Sequence, residues 1–177
     1  MTSKPWFKDI SQFNKKEDYL PIFSGIFFVE TITIYLALLG VLRSHSLETW
    51  YTKYRLSAVL ADIIIVSIVI IVTRYLYHFF FSTFFIVYFV CLAIVVQIIH
   101  DILFYLVIRL VPKGRNAMID TFKEYAKEVG IYAILGDSII ITSACLMTSF
   151  MANYTINYNI ISLVTTIYFI PYILYTK

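Results

Sequence analysis

Residues 56–77 read LSAVLADIIIVSIVIIVTRYLY, and only Asp62 and Arg74 interrupt the apolar run. A helix rises 1.5 Å per residue, so about 20 such residues cross the roughly 30 Å hydrocarbon layer of a bilayer. Ile and Val favour strands in water, but in lipid a lone strand leaves its backbone unpaired. A barrel strand would also show about ten residues of strict alternation, which this run lacks. The stretch therefore reads as a transmembrane helix.

Four further runs of the same kind surround it, at about 22–42, 83–110, 131–151 and 158–175. The last is marginal in length. Hydrophobic residues make up 60% of the 177-residue chain and charged residues 14%, against about 25% charged in a soluble domain. A soluble protein of this size could not bury that much apolar surface, and a disordered chain would not carry it. The net charge of +3 is too small and too dispersed for a nucleic-acid footprint. The expected fold class is all-α: an integral membrane helical bundle of five apolar segments, giving four or five spans. A basic polar arm, 1–21, precedes a single transmembrane domain, 22–177. The lipid bilayer is the first expected partner, with a homo-oligomer or a capsid or membrane protein as the second, and nucleic acid excluded.

The connections add detail. The arm carries Lys4, Lys8, Lys15 and Lys16 among Trp6, Phe7, Ile10 and Phe13, a loosely helical spacing suited to the headgroup layer. Pro21 suits a first helical turn. Residues 43–55 read as a loop with interfacial Trp50, Tyr51 and Tyr54, and 78–82 as a tight, nearly uncharged hairpin. Residues 116–130 place Met118, Ile119, Phe122, Tyr125, Ala126 and Val129 on one face, opposite Asp120, Lys123, Glu124, Lys127 and Glu128. That is the pattern of an interfacial amphipathic helix. Asn116 is its expected cap and Gly130 the expected bend into the next segment.

Lys and Arg counting places loop 43–55, region 109–130 and Lys177 on one side, with the hairpin and loop 152–157 on the other. The arm lies opposite the positive side if segment 22–42 crosses, and joins it if that segment is re-entrant or a surface hairpin. Five spans are expected, although Glu30 near the middle of 22–42 leaves its crossing open.

Ionisable residues inside the runs are Glu30, Asp62, Arg74, His100, Asp101 and Asp137. Each costs at least about 2.5–3.5 kcal/mol at mid-bilayer and should face protein or water. Asp62, Asp101 and Asp137 fall at a similar depth from the same membrane face. On 83–110, Gln97, Asp101, Tyr105 and Arg109 recur every fourth residue. On 131–151, Ala133, Asp137, Ala144 and Thr148 form a small or polar stripe, a type that lets helices approach closely. The candidate site is thus an intramembrane polar seam of Asp62, His100, Asp101, Asp137, Gln97, Tyr105 and Arg109. It is either a hydrogen-bonded network that fixes helix register, with Arg109 neutralising Asp101, or a proton or cation relay. Arg74 is expected to snorkel to headgroups, and Glu30 either joins the seam or marks a segment that never crosses.

Other chemistry is weakly signalled. Leu135-Gly136-Asp137 matches only part of the GxGD element of intramembrane aspartyl proteases. No G-x-S-x-G elbow supports Ser-His-Asp catalysis. His45, His78 and His100 fall in different segments, so neither metal nor cofactor is expected. Cys91 and Cys145 sit in apolar runs and read as packing residues. Asn153-Tyr154-Thr155 is a formal sequon, placed too near the bilayer for use. Leu42-Arg43-Ser44-His45 is no small-x-small cleavage site, so no removable signal peptide is expected.

Residues 122–138, FKEYAKEVGIYAILGDS, resemble multi-pass membrane proteins of nucleocytoplasmic large DNA viruses. The abundance of Ile, Phe and Tyr is in keeping with that likeness. The resemblance implies a structural, non-enzymatic protein of a virion membrane beneath an icosahedral capsid, with no catalytic residues to carry over. The alternative expectation is a small proton or cation channel or transporter that uses the acidic seam.

Overall fold

A computed structural model describes residues 5–42 and 44–176. Lys4, Arg43 and Lys177, used above in charge counting, lie outside the described residues. The described chain is all-helical: α1 Tyr19–Leu38, α2 His45–Tyr54, α3 Leu56–Phe80, α4 Ile86–Leu110, α5 Ala117–Val129, α6 Tyr132–Met151 and α7 Ile156–Leu174. Five of these (α1 with the single 3-10 turn before it, α3, α4, α6 and α7) are long and apolar enough to cross a membrane. The architecture is that of a multi-pass membrane protein.

Segment 22–42 is not a surface hairpin. It forms one continuous helix, α1, that packs against α3, α6 and α7 and is the most buried of the five. Gly25 permits this. A β-carbon at Gly25 would lie 2.7 Å from the nitrogen of Thr148, so the two backbones touch where only a hydrogen fits.

The bundle has two distinct ends. At one, the N-terminal arm lies against the ends of the helices, and apart from the 3-10 turn Lys16–Asp18 it is not helical. Ile10 and Ser11 are buried there. Lys8 N donates to Ser149 O and Ser149 Oγ to Lys8 O, and Ser11 Oγ lies 3.1 Å from His78 Nε2. Asn153 of the sequon donates its side-chain amide to the Pro5 and Trp6 carbonyls. Arg74 does not snorkel. It is fully buried, donates to the Gln12 and Lys15 carbonyls, pairs with Asp18 at 3.5 Å and stacks on Tyr19. Backbone carbonyls of the arm give the guanidinium a nearer partner than phosphate.

The other end carries α2 and α5, packed on each other. Residues 43–55 are therefore mostly helical, contrary to the loop expectation. Ser44 caps α2 through Leu47 N, and Leu47, Trp50, Tyr51 and Tyr54 share its inner face at i, i+3, i+4 and i+7. Asn116 caps α5 by accepting from Met118 N and Ile119 N, as its sequence position suggests. The Glu128 carboxylate of α5 reaches the start of α2 and accepts from the His45 and Ser46 amides at 2.7 and 2.9 Å, where a helix dipole favours negative charge.

The order of span, short amphipathic helix and span occurs twice, as α1–α2–α3 and α4–α5–α6. The α2–α3 junction turns at Arg55 (φ 49°, ψ −121°) and the α5–α6 junction at Gly130 (φ 59°, ψ −132°), nearly the same conformation. A matching register follows each turn. Ala58, Leu60, Asp62, Ile64, Ile65 and Thr73 recur as Ala133, Leu135, Asp137, Ile139, Ile140 and Thr148. The contacts follow the same exchange: α1 packs on α6 as α4 does on α3, and α1 on α3 as α4 does on α6. Because both units start from the same end of the bundle, they are parallel repeats, and α7 is the element outside them.

Candidate functional site

Two of the acidic side chains, Asp62 and Asp137, arise from corresponding places in the two repeats. Asp62 follows the Arg55 turn by the same interval at which Asp137 follows Gly130. Glu30 and Asp101 lie eight and nine residues before the ends of α1 and α4. At 1.5 Å per residue all four sit about 8–14 Å from the α2–α5 end of their helices.

The structure brings them together. The carboxyls of Asp101 and Asp137 are in hydrogen-bond contact. Glu30, left open by the sequence, joins the group: it is 2% exposed and lies within electrostatic range of Asp62 and Asp137. Gln97 donates its amide to Asp101, and its oxygen accepts from Ser138 Oγ at 3.2 Å. His100 Nδ1 lies 3.1 Å from Asp101 Oδ1, and these two side chains keep 28% and 24% exposure. Here the group, of which Glu30 is buried and Asp62 and Asp137 are half-buried, meets the outside of the bundle.

Two members of the expected site lie elsewhere. Arg109 does not neutralise Asp101; its guanidinium lies over the ring of its own neighbour Tyr105, and both side chains are exposed. The four-residue stripe drifts around a helix of 3.6 residues per turn, which carries its last two members off the inner face.

A roof missed by the sequence reading covers the carboxyls. Trp50 of α2 donates its indole N–H to Asp62 at 3.0 Å, and the Tyr51 hydroxyl faces the same carboxyl. Phe122 of α5 packs against Trp50 and edge-on to Phe104 of α4. Burial pushes the Tyr51 hydroxyl well above its ordinary range, and the charges of Asp62 and Glu30 add to the effect. Tyr125 of α5 is raised for the same reasons, first by burial and then by Asp137, Glu128, Asp101 and Asp62. Trp50 and Tyr125 hold the same position relative to the turns at Arg55 and Gly130, so each repeat lays one aromatic ring near its own aspartate. Two signals in the sequence could have found the roof: the helical spacing of Leu47, Trp50, Tyr51 and Tyr54, and the shared Ala-x-Leu-small-Asp-x-Ile-Ile register.

Among the described residues, no group of three or more His, Cys, Asp and Glu side chains has the geometry to hold a metal ion. Three basic side chains at this end are engaged elsewhere: Arg55 over Tyr175, Lys53 over Tyr54 and Lys123 on the Val111 carbonyl. Among the described residues the arrangement gathers four carboxyls and one imidazole, and no Lys or Arg forms an ion pair with them. No protein-family model, curated protein or solved structure matches the chain.

Proposed function

We propose that the chain is a structural, non-enzymatic multi-pass membrane protein. The observation that carries this reading is that its own chain closes both ends of the bundle. The arm is bonded across the ends of α3 and α6, and α2 and α5 lie over the acidic group at the other end. The spanning helices are also continuous, without the broken segments that line many transport pathways. The lipid bilayer is its first partner, and a second copy or a capsid or membrane protein would meet its exposed faces. The likeness of residues 122–138 to large DNA virus membrane proteins supports a place in a virion membrane beneath a capsid. The larger share of Lys and Arg at the α2–α5 end supports a cytoplasmic orientation for that end.

Reconstitution into liposomes containing a pH-sensitive dye tests the reading. Under an imposed pH gradient, leakage should equal that of protein-free liposomes. A leak abolished by Asp137→Asn would overturn the structural role in favour of the channel or transporter.

A further inference from the structure

We propose that the interface between the two repeats is a proton-binding site, in which the carboxyls of Glu30, Asp62, Asp101 and Asp137 hold hydrogen ions as the ligand that lets the repeats close on each other. The inference does not depend on whether the protein conducts.

The four carboxyls have too few hydrogen-bond donors around them. A carboxylate only accepts hydrogen bonds. Asp62 has the Trp50 indole and faces the Tyr51 hydroxyl. Asp101 has the Gln97 amide and the His100 ring. Asp137 has no donor among the described residues except Asp101, and two acceptors in hydrogen-bond contact need a hydrogen between them. Glu30 has no hydrogen-bond donor at all among the described residues, although it is 2% exposed and faces Asp62 and Asp137. An unpaired buried carboxylate is among the costliest groups a protein can hold. A proton held by one carboxyl removes its negative charge and turns an acceptor into a donor for its neighbour, and among the described residues no group of three or more His, Cys, Asp and Glu has the geometry to hold a metal ion.

Every helix around the site supplies a titratable group: Glu30 from α1, Tyr51 from α2, Asp62 from α3, His100 and Asp101 from α4, Tyr125 with Glu128 beyond it from α5, and Asp137 from α6. The repeat relation pairs Asp62 with Asp137, whereas Glu30 and Asp101 lie 25 and 29 residues before their turns and share only the membrane level. The site therefore lies where the two units meet, as binding sites do in other membrane proteins built from repeats. His100 provides the entry. It is the exposed end of a chain that runs through Asp101 and Asp137 to Glu30, and each proton bound removes one negative charge.

Infrared spectroscopy of the full chain reconstituted in lipid tests the site. At neutral pH the wild type should show the C=O band of protonated carboxylic acid. Glu30→Gln and Asp137→Asn should each remove part of that band while the helical amide signal is retained. The absence of the band from wild type would overturn the proposal, as would a band that neither variant alters. Loss of the band on adding sodium chloride would assign the site to a metal cation and overturn it equally. If Asp137→Asn does not fold, Glu30→Gln decides alone. A liposome leak with the band intact would refute the structural role and leave the proton site standing.

Discussion

Gly25 of α1 faces Thr148 of α6 so closely that a β-carbon at position 25 would lie 2.7 Å from the Thr148 nitrogen and 2.8 Å from its Cα. The clash would be with backbone, which cannot move aside as a flexible side chain can. Gly25→Ala should therefore destabilise the bundle by about 1–3 kcal/mol. Gly136→Ala provides the opposite control, because a β-carbon there meets nothing within 4 Å, and helix propensity should make it stabilising by about 0.5–1 kcal/mol. Unfolding midpoints in mild detergent would show both signs.

Trp50 ties the roof to the acidic group. Trp50→Phe keeps the ring near Phe122 and removes the N–H that reaches Asp62. The loss should cost about 1–3 kcal/mol, the penalty for leaving a buried polar group short of a partner. Trp6 is 80% exposed, so Trp6→Phe should stay within about 0.5 kcal/mol of wild type. The same unfolding assay separates the two.

Glu128 makes the contact between α5 and α2 sensitive to acid. Hydrogen bonds from the Ser46 side chain and from the Ser46 and His45 amides hold its carboxyl below the ordinary glutamate range. The folded value thus lies below the unfolded one. Its contribution is full above the usual glutamate value of about 4.3 and is lost as pH falls through the folded value. In a Trp6→Phe background, Trp50 emission should change as the pH drops below that range. Glu128→Gln should lower stability at neutral pH and flatten this part of the acid response.

Arg74 fastens the arm. Replacing it with Met would leave the Gln12 and Lys15 carbonyls without their donor and Asp18 with Lys15 alone, 3.1 Å away, and losing one partner of a buried pair costs up to about 3–5 kcal/mol. The arm should then become cleavable at Lys8 or Lys15 by added protease in vesicles that expose this end. An arm equally resistant in Arg74→Met and wild type would contradict the contact.

Much of this fold was legible in the sequence, because hydrocarbon permits few backbone solutions. The five apolar runs map onto α1, α3, α4, α6 and α7 with small shifts at their ends. Asn116 and Gly130 end α5 as their local chemistry dictates. The depth argument placed Asp62, Asp101 and Asp137 at one level. The failures came where a partner distant in sequence decides the outcome. Arg74 looks like a snorkelling residue until the Gln12 and Lys15 carbonyls arrive from the arm. Arg109 looks like a counter-ion until helix rotation turns it outward. Residues 43–55 are polar enough to read as a loop, and their inner face becomes meaningful only when α5 packs on it. The repeat was present in the register of Asp62 and Asp137, but weak side-chain identity in apolar sequence hides such periods.

The central claim is that carboxyls from separate helices touch within the bundle, and a double-mutant cycle on Asp101→Ala and Asp137→Ala measures it most directly. Direct contact predicts that the two changes are coupled by about 0.5–3 kcal/mol in detergent unfolding. Effects that add to within about 0.3–0.5 kcal/mol would place the two groups apart and contradict the account.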